Sequence, residues 1–140
     1  MTCEEYVDEV ITASSTPDEW SQLTDGFLKN WNFPNCVAAI DDKPIAIRKP
    51  VSSGSLYYNY KGFFSIILLV NVDSDYKFVR CDLGGYGSSG DAKINNESEF
   101  LEIVQDGSIG FPDPRPFPND TVDMHYFLVG DDAFSLSKNI

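Results

Sequence analysis

The chain has 140 residues, 42% of them hydrophobic and 14% aromatic, enough for one domain with a substantial core and too few for two. Its 22 Asp and Glu against 10 Lys and Arg leave a formal net charge of -12, which excludes nucleic-acid binding by bulk attraction and confines such a role to a local patch or a second protein. Cys3, Cys36 and Cys81 are widely spaced and form no CxxC pair, so a disulfide framework and a zinc knuckle are both disfavoured and a reducing, intracellular setting is expected. The longest apolar run, residues 63–72, is broken by Ser65 and Asn71, too short for a membrane span. The acidic start, Met1-Thr2-Cys3-Glu4-Glu5, lacks the basic region of a secretory signal.

Residues 1–31 read as two short helices. In the first, Thr2 is a candidate N-cap with Glu5 three residues on, and Tyr6, Val7, Val10 and Ile11 recur at helical spacing. The second starts more sharply, because Thr16 precedes Pro17 and Glu19 completes a Thr-x-x-Glu capping box. Trp20, Leu23, Phe27 and Trp31 then fall on one face and are expected to pack inward. From Cys36 the pattern turns to strands. Cys36-Val37-Ala38-Ala39-Ile40 is apolar on both faces, as in a central strand, and Ile45-Ala46-Ile47 continues it, with Pro44 marking a bulge or a strand edge. After a Ser/Gly loop, the apolar segment 63–72 and the segment 76–83 flank Asp73-Ser74-Asp75, which predicts an antiparallel hairpin. Residues 84–90 read as a glycine-rich loop. Asn95 or Asn96 then caps a helix through Phe100, Leu101, Ile103 and Val104 that stops at Gly107. Pro112, Pro114, Pro116 and Pro118 predict an extended surface loop, and Tyr126-Phe127-Leu128-Val129 a last strand that runs into Gly130-Asp131-Asp132.

Two acids stand at strand ends, Asp41 and Asp131, where open sheets place their chemistry. If the two strands are neighbours, the carboxylates converge and repel unless a cation lies between them. Hard oxygen ligands and a single histidine, His125, point to Mg²⁺ or Mn²⁺ and away from zinc. From spacing alone, both acids also fit the plainer role of strand-end turn formers.

The wording of the segments adds a resemblance. Trp31-Asn32-Phe33-Pro34-Asn35-Cys36-Val37-Ala38-Ala39-Ile40-Asp41 resembles the first catalytic block of PIF/Harbinger-type transposases. Ser53-Gly54-Ser55-Leu56-Tyr57-Tyr58-Asn59-Tyr60-Lys61-Gly62-Phe63-Phe64-Ser65-Ile66 is similar to the family's next strand, and Leu128-Val129-Gly130-Asp131-Asp132-Ala133-Phe134 to its "VGDDAF" block. Thr16-Pro17-Asp18-Glu19-Trp20 and the Asp106-Gly107 helix end also fit, and together these motifs cover about residues 16–138 in the family's order.

That resemblance implies an α/β, ribonuclease-H-like mixed sheet: an antiparallel three-strand meander, a helix, then a parallel fourth strand, preceded by the short N-terminal helices. Residues 1–31 would pack as helices on a partial nuclease domain of residues 32–140. Asp41 and Asp131 would be the first two members of a DDE triad, with Asp91 and Asp132 as candidate supporting acids; Asp91 is read first as a helix N-cap. Two divalent ions held by such a triad serve the attacking and leaving oxygens of phosphodiester cleavage. The family's third carboxylate, a Glu in an "IERxFG"-like segment, has no counterpart before Ile140, so a C-terminally truncated and inactive domain is expected. Asp42-Lys43-Pro44 also replaces the usual Gly-Lys-His.

Lys43, Arg48, Lys49 and Lys61 gather four of the ten cations near the candidate site, where they would touch a DNA backbone or form ordinary surface charge. Tyr57, Tyr58, Tyr60, Phe63 and Phe64 are read as core and hairpin packing, with base stacking as the lesser reading. The glycine loop lacks P-loop spacing. Two functions follow. The first is a transposase-derived, divalent-metal-dependent DNA endonuclease domain, binding DNA weakly by itself, aided by a Myb-like DNA-binding partner and acting in the nucleus after cytoplasmic synthesis. The second is a degenerate, non-catalytic derivative serving as a protein-interaction module.

Overall fold

The computed structural model describes residues 16–88, 99–131 and 134. The helix expected over residues 2–11 and the proposed caps Asn95 and Asn96 lie outside the described residues. The first described helix, α1 (Pro17–Trp31), begins as its capping box predicts: the Thr16 hydroxyl accepts from the Glu19 N–H at 3.4 Å, and the Glu19 carboxylate accepts from the Thr16 N–H at 3.1 Å. It ends at Asn32, which takes a left-handed conformation (φ 51°) and donates its N–H to Leu28 O at 3.0 Å. Trp20, Thr24 and Phe27 form the buried stripe, with Leu23 half-buried beside it. Trp31 departs from the expected inward face. It is 55% exposed, donates its indole N–H to Ser74 O at 3.1 Å and meets the Tyr76 ring edge-on at 6.1 Å, because one more turn carries it past the sheet and onto a hairpin turn.

The sheet has four strands in the order β3-β2-β1-β6: β1 (Cys36–Ala46), β2 (Ser65–Val72), β3 (Phe78–Tyr86) and β6 (Phe127–Val129). β1–β2 and β2–β3 are antiparallel, and β6 lies parallel to β1. The expected meander and parallel last strand are therefore present, a mixed α/β arrangement compatible with a ribonuclease-H-like fold. The β2–β3 turn is closed by one side chain, since Asp73 Oδ1 accepts from the Asp75 and Lys77 N–H groups at 2.8 and 2.9 Å. Pro44 sits opposite Ile67 in unbroken register, so of its two expected roles it takes the edge rather than the bulge: β6 pairs β1 only from Cys36 to Ala39, leaving the other side of Pro44 outside the ladder.

Two expected loops are partly sheet. Gly84, Gly85 and Tyr86 belong to β3, where a register shift against Ile67 and Leu68 absorbs the extra residue. The proline segment contains a small ribbon, β4 (Arg115–Pro116) against β5 (Asp123–Met124). Its reason is Asn35, a buried side chain whose amide donates to Arg115 O and Met124 O at 2.9 and 3.0 Å. Two long-range contacts thus order prolines that local sequence leaves extended.

The second described helix, α2 (Glu99–Gln105), buries Phe100, Leu101 and Val104 against Val37, Ala38, Ile40, Leu69, Val79 and Leu128. Trp20 joins this cluster, donating its indole N–H to Ile109 O at 3.2 Å and packing edge-on to Phe111 at 5.1 Å. The sheet's faces are unequal. Along β2, Ser65, Ile67, Leu69 and Asn71 are buried, while Ile66, Leu68, Val70 and Val72 are half-buried.

Candidate active site

Partners across a ladder share a face. Asp41 pairs with Val70, on the half-buried face, and Asp42 pairs with Leu69, on the core face. Asp41 is exposed, and its Oδ1 accepts from the Asp42 N–H at 2.9 Å. On its other side β1 meets β6, where Ala39 pairs with Val129. Asp41 lies inside β1, two residues past that pair and not at a strand end as expected, and Asp131 follows the end of β6 by two residues, so both acids lie beyond the same pair along parallel chain segments. Neighbouring strands lie about 4.8 Å apart. The pairing of the two strands, which sequence patterning left open, is thus present in the sheet.

Gly130, directly before Asp131, is closely surrounded. A Cβ there would lie 2.9 Å from Phe134 Cδ2 and 3.0 Å from Ile40 Cγ2, so any side chain would push the end of β6 away from β1. The turn beyond it is closed by the Phe134 N–H donating to Asp131 O at 3.3 Å, with Phe134 buried in the core. Sequence reasoning passed over Gly130, although a glycine directly before a candidate ligand at a strand end is a readable signal.

Asp91 and Asp132 lie outside the described residues. Among the described residues, no group of three or more His, Cys, Asp or Glu side chains is placed to hold a metal ion. The four expected cations separate. Lys43 follows Asp41 by two residues and shares its face, and Lys61 lines a cleft with Asp42 and Pro44. Arg48 and Lys49 come after Ile47, whose N–H still donates to Phe64 O, and so stand about 20 Å further along the strand direction. Lys49 Nζ lies 5.6 Å from the Phe64 ring centroid.

The aromatic group divides as well. Tyr57 meets Tyr86 edge-on at 5.2 Å and Tyr58 meets Phe64 at 5.1 Å, the hairpin packing expected of them. Tyr60 is 82% exposed and Tyr58 46%, which overturns the packing assignment for Tyr60 outright: the turn at residues 59–62 aims it away from the sheet.

Comparison with known proteins decides the family. The family model described as "DDE superfamily endonuclease" matches residues 40–140. The chain belongs to the DDE superfamily endonucleases. It is also similar to "Protein ALP1-like" of Arabidopsis thaliana, 28% identical over 124 residues, a match covering 87% of this chain and 30% of that protein. Both findings bear out the PIF/Harbinger resemblance seen in the motifs. This DDE endonuclease chain therefore spans about 30% of the length of the curated relative it matches. No solved structure matches it. Among its described residues, no helix is long and apolar enough to cross a membrane.

Proposed function

We propose that this chain is a ribonuclease-H-like, divalent-metal-dependent DNA endonuclease domain in which Asp41 and Asp131 hold Mg²⁺ or Mn²⁺, with residues 1–31 packed on a domain formed by residues 32–140. The observation that carries this reading is the β1–β6 register, which sets both acids two residues past the Ala39–Val129 pair. Were the two carboxylates about 5 Å apart, as on neighbouring strands, they would repel by roughly 1 kcal/mol in water and roughly 3 kcal/mol at an effective dielectric of 20, a cost that a shared cation would reverse. A divalent ion bound there would lower the pKa of a bound water and stabilise charge on phosphodiester oxygens. The chain's own part is positional: the Asp42 N–H orients the Asp41 carboxylate, Gly130 admits Asp131, and Lys43 offers a phosphate contact beside them. Asp91 and Asp132 are the supporting acids, and Arg48 and Lys49, beyond the end of β1, would meet a DNA backbone only at a distance from Asp41. The acidic whole suits a subunit that acts in the nucleus and takes DNA affinity from a Myb-like partner.

A second reading, a non-catalytic derivative serving as a protein-interaction module, is favoured by one observation: three acids do not converge among the described residues. In-line displacement needs both the attacking and the leaving oxygen stabilised, so residues 1–140 alone are expected to show little nicking of supercoiled plasmid. Metal binding tests the site itself. Millimolar Mn²⁺ should raise the melting temperature of the chain by a few degrees, since a ligand bound only by the folded state stabilises it by mass action. Asp41→Asn and Asp131→Asn should each lose most of that shift. A shift of the same size in both variants would move the site elsewhere.

A further inference from the structure

The sheet has one face that no described helix covers. Both helices pack on the side that carries Ile40, Leu69 and Val79. On the opposite side the ladders line up Leu68 and Val70 of β2 with Leu83 and Cys81 of β3, and with Lys43 and Asp41 of β1. This face stays apolar towards both ends of β3, as far as Phe78 and Tyr86, and Leu83 near its middle is 57% exposed. A broad apolar patch on a protein surface marks an interaction site. Asp41 and Lys43 are the only charged residues that the ladders place there, one acid and one base on a chain whose net charge is -12. Both are exposed, they stand two residues apart on one strand, and among the described residues neither forms an ion pair.

We propose that this face closes on the same face of a second copy of the chain, as a two-fold sandwich of two sheets. A two-fold axis that runs between the sheets, across the strands and over Asp42, sets Asp41 of each copy opposite Lys43 of the other and lays β2 and β3 over their own copies. A closed two-fold contact must be self-complementary, because each surface receives what it presents. An acid and a base two residues apart on one strand meet that condition, whereas two acids would not. Stacked sheets lie about 10 Å apart, a gap that two layers of side chains fill. Charge also favours a second copy over a basic partner: a face without net charge gains nothing from a cationic surface, and the acidic remainder of the molecule keeps two copies apart everywhere else. While the sandwich is closed, Asp41 and Lys43 are withheld from metal and phosphate.

The test is sedimentation velocity of the full chain across the micromolar range, in EDTA, with circular dichroism to check that each variant is folded. A monomer–dimer equilibrium is expected, with no larger species. Leu83→Glu, at an exposed position of an edge strand, should weaken the dimer roughly tenfold or more. Lys43→Glu leaves two acids beside the axis and Asp41→Lys two bases, so each alone should also weaken the dimer roughly tenfold. Mixing those two variants in equal amounts should restore a dimer at least as tight as the parent's, because each supplies the charge that the other lacks. Purely structural roles for the two residues would give no recovery on mixing. A chain that stays monomeric, a dimer indifferent to Leu83→Glu, a mixture no tighter than either variant alone, or growth beyond the dimer would each overturn the proposal. Nothing in this pairing draws on the endonuclease reading, and because sedimentation is run in EDTA, it and the Mn²⁺ shift can fail independently.

Discussion

Asn35 ties the start of β1 to the β4–β5 ribbon and to β6. Its fully buried amide donates to two carbonyls of the β4–β5 ribbon and its Oδ1 accepts from Arg115 Nε at 3.3 Å, while its own backbone carbonyl accepts from the Phe127 N–H at 3.0 Å. It also sits at φ 60°, a conformation asparagine tolerates better than most residues. Asn35→Ala should therefore lose about 3 kcal/mol in urea denaturation, from orphaned carbonyls and a strained backbone together. Cys36, the next residue, is sealed in the core, and burial pushes its thiol up from 9.0 to about 12. A neutral buried thiol favours the folded state fully below pH 9 and progressively less as pH rises towards 12, with a slope approaching about 1.4 kcal/mol per pH unit. Chemical denaturation at pH 8, 9, 10 and 11 should show a steeper alkaline decline in the parent chain than in Cys36→Ala. Parallel declines would mean that the thiol ionises in the folded state without cost.

Among the elements, α1 is the one whose ends are written locally, through Thr16, Pro17 and Glu19 at one end and Asn32 at the other. The end of β6 is the opposite case. It is three residues long, and its position depends on Gly130 lying against Ile40 and Phe134. Gly130→Ala should cost about 1–3 kcal/mol, the usual cost of overpacking a filled core. Since the displaced strand end carries Asp131, the same variant should also show a smaller Mn²⁺-induced rise in melting temperature than the parent at equal metal. A full-sized rise would separate the metal site from β6. On the buried face of β2, Asn71 Oδ1 has no hydrogen-bond partner among the described residues, so Asn71→Leu is expected to leave stability unchanged or raise it by about 1 kcal/mol, read from the urea midpoint.

For the molecule as a whole, charge sets the terms. With a net charge of -12, the isolated chain should bind duplex DNA in or above the non-specific range of roughly 10⁻⁴ to 10⁻⁶ M, weakening steeply as salt is raised. Sub-micromolar, sequence-specific binding by the chain alone would count against a borrowed DNA-binding partner. The molecule is tied together across its layers by Arg115, which pairs with Asp25 of α1 at 3.5 Å, stacks over the Tyr126 ring at 5.4 Å and donates to Asn35. An exposed pair of that kind adds little by itself; the stacking and the buried amide give the arrangement its weight.

The amino-acid sequence by itself determined the elements with local causes: the capped α1, the Asp73 turn and its hairpin, and the apolar start of β1; it placed Asp41 at a strand end, whereas β1 continues past it to Ala46. It also carried the family, because motif wording survives in linear order. What tertiary structure alone decided is which side of β1 receives β6, and therefore that Asp41 and Asp131 both follow the Ala39–Val129 pair. Strand pairing is a long-range choice that periodicity cannot encode. The same holds for the ribbon inside the proline segment, ordered by an asparagine some 80 residues away in the chain, and for Tyr60. Its apolar neighbours suggested packing, yet a turn pinned by the Asn59 amide reverses the chain and leaves the ring in water.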